Sequence, residues 1–271
     1  MSSLTVWVNG IGLLGPGLAS WQAAQDILRG EQPHVFSPAV LPPPARLPAA
    51  ERRRAGSAVK LAMAVADEAV ALADIDPHTL ATVFSASSGE GVNCHMLCET
   101  LATATPAVSP TRFTNSVHNA AAGYWHIAVA SRAASTSLGA FDASFGAGLI
   151  EAATSVVLSG APMLLVASDT PYPEPLHSSR PLPDNFGMAL VLAASRSERS
   201  LATLSIALAP GPNAPTACGD VSLEALRHVI PAACSLPLLQ ALAGGLDSQR
   251  LVLDYLPTLS LNIAVQRLAV S

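Results

Sequence analysis

Apolar residues fall at helical spacing over residues 55–73, at Val59, Leu61, Met63, Ala66, Val70 and Leu72, and predict a helix there. Residues 81–87 change period: a short β-branched run bounded by Gly89 predicts a buried strand. The same two patterns predict helices over 20–28, 92–101, 120–131 and 145–158, the last ended by Gly160. They predict strands over 6–11, 136–141, 163–167 and 188–194. Beyond residue 200 the signal weakens, to strands near 202–209, 251–255 and 260–264 and helices near 223–230 and 238–243. Strands alternating with helices imply an α/β fold with a mixed, mostly parallel sheet covered by helices on both faces. The continuous apolar runs at 163–167 and 188–194 fit strands buried on two sides. Residues 32–48 are rich in proline, which removes backbone donors and fixes φ, so they read as an ordered surface loop.

Composition changes this picture little. The 271 residues are 50% hydrophobic and only 12% charged, which fits a large apolar interface as well as a well-packed α/β domain. A net charge of −5 excludes non-specific nucleic-acid binding, which needs a basic surface. No apolar run is expected to reach the roughly 18 residues of a membrane span. The start of the chain has no basic stretch of the kind that opens a signal peptide, so a cytoplasmic location is expected. Cys94, Cys98, Cys218 and Cys234 are then free thiols. Cys94, His95 and Cys98 lie within one helical turn, but no second ligand pair follows at zinc spacing, so neither metal nor cofactor is expected.

Gly10, Gly12 and Gly15 match the spacing G-x-G-x-x-G after a strand. Pro16 and Gly17 delay the helix that should follow, and the ribose-binding acid about 20 residues on would fall in the proline-rich loop. A glycine-rich turn is the simpler reading. No nucleophile elbow of the G-x-S-x-G kind, no H-E-x-x-H and no phosphate-binding loop is present. The seven histidines are scattered singly, and His118 reads as a hydrogen-bonded structural residue more readily than as a base.

Residues 109–125, from Ser109-Pro110 through Asn115-Ser116-Val117-His118-Asn119 to Gly123-Tyr124-Trp125, resemble the segment of β-ketoacyl synthases that leads into the nucleophile strand. Residues 6–17 resemble that family's first strand and glycine turn, and residues 81–91 its next core strand. Residues 143–169 resemble the helix after the nucleophile and the strand that follows, and residues 181–194 the strand closing the N-terminal half. The resemblance spans roughly residues 4–195 and is nearest to short synthase-like N-terminal domains that accompany aryl-polyene pigment synthases. It implies a thiolase-like half-fold over residues 1–200, with 201–271 as a reduced α/β extension packed on the same domain.

The departures from that family carry the functional expectation. An active synthase needs a cysteine thiolate near a helix N-terminus to accept the acyl chain. Here residues 139–146 contain no cysteine. Counting from Asn119 puts Asp142 at the nucleophile position, and counting back from Gly160 puts Ala143 there. Asp142 and Ser144 are expected to cap the following helix. Residues 201–271 are too few for the second half that supplies two catalytic histidines, and His228 is the one histidine after His177.

The resemblance therefore implies a non-catalytic chain-length factor that heterodimerises with a full-length β-ketoacyl-ACP synthase and shapes its acyl tunnel, in polyene, polyketide or fatty-acid-like biosynthesis. The acyl carrier protein would then be met mainly through that partner. Phe141, Ser144, Phe145, His118 and Asn119 are the tunnel or interface candidates, with core packing the alternative for both phenylalanines. An independent acyl-transferring or hydrolysing enzyme using Ser144 or Asp142 is the competing reading. Arg52, Arg53 and Arg54 would either stay solvated or face the acidic carrier.

Overall fold

The computed structural model describes residues 3–211, 213–244 and 247–268. In chain order its elements are β1 (Leu4–Leu14), α1 (Gln25–Leu28), α2 (Ala49–Arg54), α3 (Ser57–Ala73), β2 (Ala81–Ser85), α4 (Gly91–Leu101), α5 (Pro110–Asn115) and α6 (Ala120–Ala128). There follow β3 (Ser135–Leu138), α7 (Ser144–Ser159), β4 (Met163–Asp169), α8 (Leu176–Ser179), β5 (Phe186–Ala193), β6 (Ala202–Pro210), α9 (Val221–Val229), α10 (Leu236–Ala243), β7 (Ser248–Leu256) and β8 (Leu259–Arg267).

All eight strands join one sheet in the order β3-β2-β4-β5-β1-β6-β8-β7. Only β2 pairs in parallel, with β3 on one side and β4 on the other. The pairs β4–β5, β5–β1, β1–β6, β6–β8 and β8–β7 are antiparallel. The sheet is mixed, as expected, but not mostly parallel. Every residue of β4 and β5 is buried. Their unbroken apolar runs report cover on two faces, which an antiparallel pair between helices shares with a parallel one.

One face is covered by α3 and α6, whose Leu61, Val65, Ala69 and Trp125 pack with Leu164, Val166, Ala189 and Val191. The other carries α7, α10 and the 3₁₀ segment Pro231–Ser235, with Phe145, Leu149, Ala233 and Leu238 against Val83, Leu165, Met188 and Leu190. Strand β6 continues the sheet from β1, so residues 202–267 share the core of the N-terminal part. In β6, β7 and β8 burial alternates, leaving Thr203, Ser205, Asn262 and Ala264 on an outer face.

Of the three glycines at G-x-G-x-x-G spacing, Gly15 opens the expected turn, closed by its pairing with Leu18, whereas Gly10 and Gly12 lie inside β1. A Cβ on Gly10 would stand 2.0 Å from the carbonyl oxygen of Ala69, and one on Gly12 would stand 1.9 Å from that of Val65. They let β1 lie directly on the backbone of α3, so they form neither a phosphate cradle nor a turn. Glu68 of α3 fastens the far end of β1 by accepting from the Leu13 and Trp21 amides at 2.9 and 2.8 Å.

Two further expectations change. The helix expected over 20–28 is regular only over Gln25–Leu28. The stretch Phe141–Ser159 is long and apolar enough to cross a membrane by length and composition, with mean hydropathy 1.3, contrary to the expectation that no run qualifies. Its Phe145, Leu149, Ala152 and Val156 are buried against the sheet, as in the core helix of a folded domain.

Candidate functional site

Strand β3 ends at Leu138, and the chain turns through Gly139 and Ala140 into a 3₁₀ turn, Phe141–Ala143, before α7 begins at Ser144. Phe141 holds the turn in a left-handed conformation, φ 53°, which is rare for a bulky residue and a form of stored strain. A strand-to-helix turn with a strained residue at its tip is the geometry that presents a nucleophile above a sheet. The residue at the tip here is an aromatic ring, one position before Asp142 and two before Ala143.

The sequence-derived candidates separate into distinct environments. Phe141 is 62% exposed, whereas Phe145 is 1% exposed and belongs to the core. Ala143 is buried and directly precedes α7, with no side-chain cap. The Ser144 hydroxyl donates to the Phe141 carbonyl at 2.7 Å and accepts from the Ala140 amide at 3.0 Å, so it closes the turn. Asp142 is exposed and pairs with Arg180 at 2.5 Å. Neither caps α7, contrary to expectation, because each is engaged elsewhere: Ser144 by the backbone of its own turn, Asp142 by a distant cation. His118 is brought to the turn, with Nε2 3.3 Å from the Ala86 carbonyl and 3.0 Å from where a Cβ on Gly139 would stand. Asn119 precedes α6 without capping it by its side chain.

Three residues that sequence reasoning did not single out organise the surroundings. Asp169, at the end of β4, accepts from the Ser87 amide and hydroxyl at 2.8 and 2.6 Å and from the Ala232 amide at 2.7 Å. Burial pushes its carboxyl above the usual range despite those donors. Asn115 is buried, donates to the Arg54 carbonyl at 2.9 Å and accepts from the Tyr124 hydroxyl at 2.9 Å. Arg180 reaches Asp142 from 38 residues away and lays its guanidinium over the Phe141 ring, 3.7 Å from the centroid. No local pattern announces such a contact, since it depends on the loop between β4 and β5 returning to the turn.

A cavity of about 300 Å³ opens beside this region, lined by Gly89, Cys94, Cys98, Ser116, Tyr172 and Leu176. Cys94 has a raised pKa, through burial and then the neighbouring Cys98 thiol. Among the described residues no group of three or more His, Cys, Asp or Glu is placed to hold a metal ion. Phe113, Val117, Phe141 and Leu176 add exposed apolar surface. Strand β3 forms an edge of the sheet, paired only with β2.

Residues 19–242 match the family model described as the β-ketoacyl synthase N-terminal domain. The chain belongs to that family. No curated protein matches this synthase-family chain. Among solved structures, a chain of the complex of the ketosynthase ApeO with its chain length factor ApeC from Xenorhabdus doucetiae superposes with a TM-score of 0.71 at 22% identity, covering 97% of this chain and 100% of that one. A chain of the ishigamide ketosynthase/chain length factor gives 0.71 at 15% identity, covering 98% and 100%. A β-ketoacyl synthase from Burkholderia phymatum STM815 gives 0.68 at 12% identity, covering 99% and 100%. At these identities the likeness establishes a shared thiolase-like fold.

Proposed function

We propose that this synthase-family chain is a chain-length-factor subunit: a partner without catalytic activity of its own that docks on a full-length β-ketoacyl-ACP synthase and closes the end of its acyl tunnel. The observation that carries the reading is the turn at 140–144, which keeps the strained form of a nucleophile-bearing turn while placing Phe141 at its tip. Acyl transfer needs a thiolate or an activated hydroxyl there. Phe141 and Ala143 offer neither, Asp142 is paired with Arg180, and the Ser144 hydroxyl is spent within the turn. Support for the partner comes from the solved complexes named above, two of which pair a ketosynthase with a chain length factor. The edge strand β3 and the exposed Phe113, Val117, Phe141 and Leu176 supply surface for such contact. In this arrangement Phe141 is the tunnel or interface residue, while Phe145 packs in the core. The acyl carrier is then engaged through the synthase, in polyene, polyketide or fatty-acid-like chain building.

Co-production with a cognate synthase tests both parts. The expected result is a 1:1 complex burying on the order of 1,600 Å² or more. Mass spectrometry after incubation with malonyl or acyl carrier should find the acyl group on the synthase and none on this chain. Separate elution at micromolar concentration sinks the partner reading, and an acyl adduct on Ser144 or Asp142 replaces it with an enzyme.

A further inference from the structure

Arg180 stands where the loop after α8 returns to the turn. It makes two contacts with two consecutive residues: its guanidinium covers one face of the Phe141 ring at 3.7 Å, and Nη2 donates to Oδ1 of Asp142 at 2.5 Å. The cation is largely withdrawn from water, its side chain 20% exposed, and its Nε is buried without a hydrogen-bond partner. Phe141 meanwhile keeps most of its ring in solvent from a backbone conformation that bulky residues avoid. A free phenylalanine in an exposed turn would relax its backbone and fold its ring onto the nearest apolar surface. Here a planar cation holds the ring from one side while an ion pair fixes the next residue. Arginine does this in a way lysine does not, because only the guanidinium both stacks and donates from a rigid fork.

We infer that Arg180 is a positioning residue that locks the Phe141–Asp142 turn and presents the Phe141 ring as a preformed anchor for the synthase subunit. The inference rests on the partner reading given above. An aromatic side chain whose freedom is already spent before association loses less on binding, which is how a single ring comes to dominate an interface.

The test compares the affinity of the complex for the wild type, Phe141→Ala, Arg180→Gln, Arg180→Lys and the double variant Phe141→Ala/Arg180→Gln, with a thermal melt of each chain alone as the folding control. Phe141→Ala is expected to raise Kd by roughly 30-fold or more, the size of an interface hot spot. Arg180→Gln should raise it about 10-fold. Arg180→Lys, which keeps the ion pair and loses the stacked plane, should fall between Arg180→Gln and the wild type. The double variant should bind no more weakly than Phe141→Ala, because an anchor that is absent cannot be mispositioned. An unchanged Kd for Arg180→Gln overturns the inference, as do independent, multiplying effects in the double variant, and both outcomes leave the partner reading standing. If the wild-type chain does not associate at all, the partner reading and the anchor role fall together. The clamp is then decided by denaturant unfolding of the same variants: non-additive effects of Arg180→Gln and Phe141→Ala uphold it, and additive effects end it.

Discussion

Buried polar side chains near the C-terminal part show how local chemistry sets reactivity and pH response. Burial pushes the Cys218 thiol up to about 12 and the Cys234 thiol up to about 11. The thiolate is the reactive form, so both are silent near neutrality. Cys94 and Cys98 are exposed on α4. N-ethylmaleimide at pH 8 is therefore expected to label Cys94 and Cys98 in the native protein, and Cys218 and Cys234 only after unfolding, as read by peptide mass mapping. Glu224 titrates in the opposite direction. A hydrogen bond from the Arg227 side chain, opposed by partial burial and helped by the Cys218 amide, holds it down to about 2 from the usual 4.5. A lowered carboxylate stabilises the fold above its unfolded pKa and loses that contribution as the pH falls toward its folded pKa. Arg227 is 5% exposed and keeps Asp254 at 3.5 Å as a second partner. Glu224→Gln should cost about 2 kcal/mol at pH 7, less than the full loss of a buried pair because Asp254 remains. The difference from wild type in denaturant melts should shrink as the pH drops from about 4.5 to about 2.

Elements explain why some of the molecule is legible in the sequence and some is not. Helix α3 packs one side on the sheet and strands β2, β4 and β5 are buried almost throughout, so their patterns record burial and their boundaries fall within two residues of expectation. Strand direction leaves no such record, and the antiparallel centre of the sheet was not visible. The strand expected over 136–141 runs past its observed end at Leu138 because Phe141 is apolar, whereas Phe141 is solvent-facing and held by a residue far along the chain. Gly10 and Gly12 carried a nucleotide-binding spacing for a packing reason that only the tertiary contact reveals. That reason is testable. A methyl at Gly12 meets the backbone oxygen of Val65 at 1.9 Å, and backbone in the middle of a 17-residue helix cannot step aside cheaply. Gly12→Ala should destabilise by about 3 kcal/mol or more, at the upper end of overpacking costs, measured as a lowered denaturant midpoint. Gly123→Ala, where nothing lies within 4 Å of the added carbon, is the control and should melt close to wild type.

At the scale of the whole molecule, the proposed heterodimer depends on how the sheet ends. Strand β3 is four residues long, borders β2 and offers its other side unpaired. An open edge is a template for another strand, and short edge strands are one way a chain keeps that template selective. The ladder with β2 identifies which amides are free. Thr82 donates to the Ala134 carbonyl and Ala86 to the Leu138 carbonyl, so alternate residues 134, 136 and 138 face β2. In a parallel pair the residues between them direct their amides the other way, which points Ser135 and Ser137 outward. Proline is tolerated on an edge strand when the amide it removes faces away from the sheet. Ser137→Pro should therefore keep the β2–β3 ladder and melt near the wild type, while blocking strand addition by the synthase. The matching change at Thr136, whose amide faces β2, should lower the melting temperature and thereby show that the assay senses the ladder. If the complex forms through β3, Ser137→Pro weakens it by at least tenfold in sedimentation or calorimetric titration, on the order of 1.4 kcal/mol or more. Wild-type affinity from a folded Ser137→Pro chain would take the edge strand out of the interface. Docking would then have to rest on the apolar side chains around Phe141 alone.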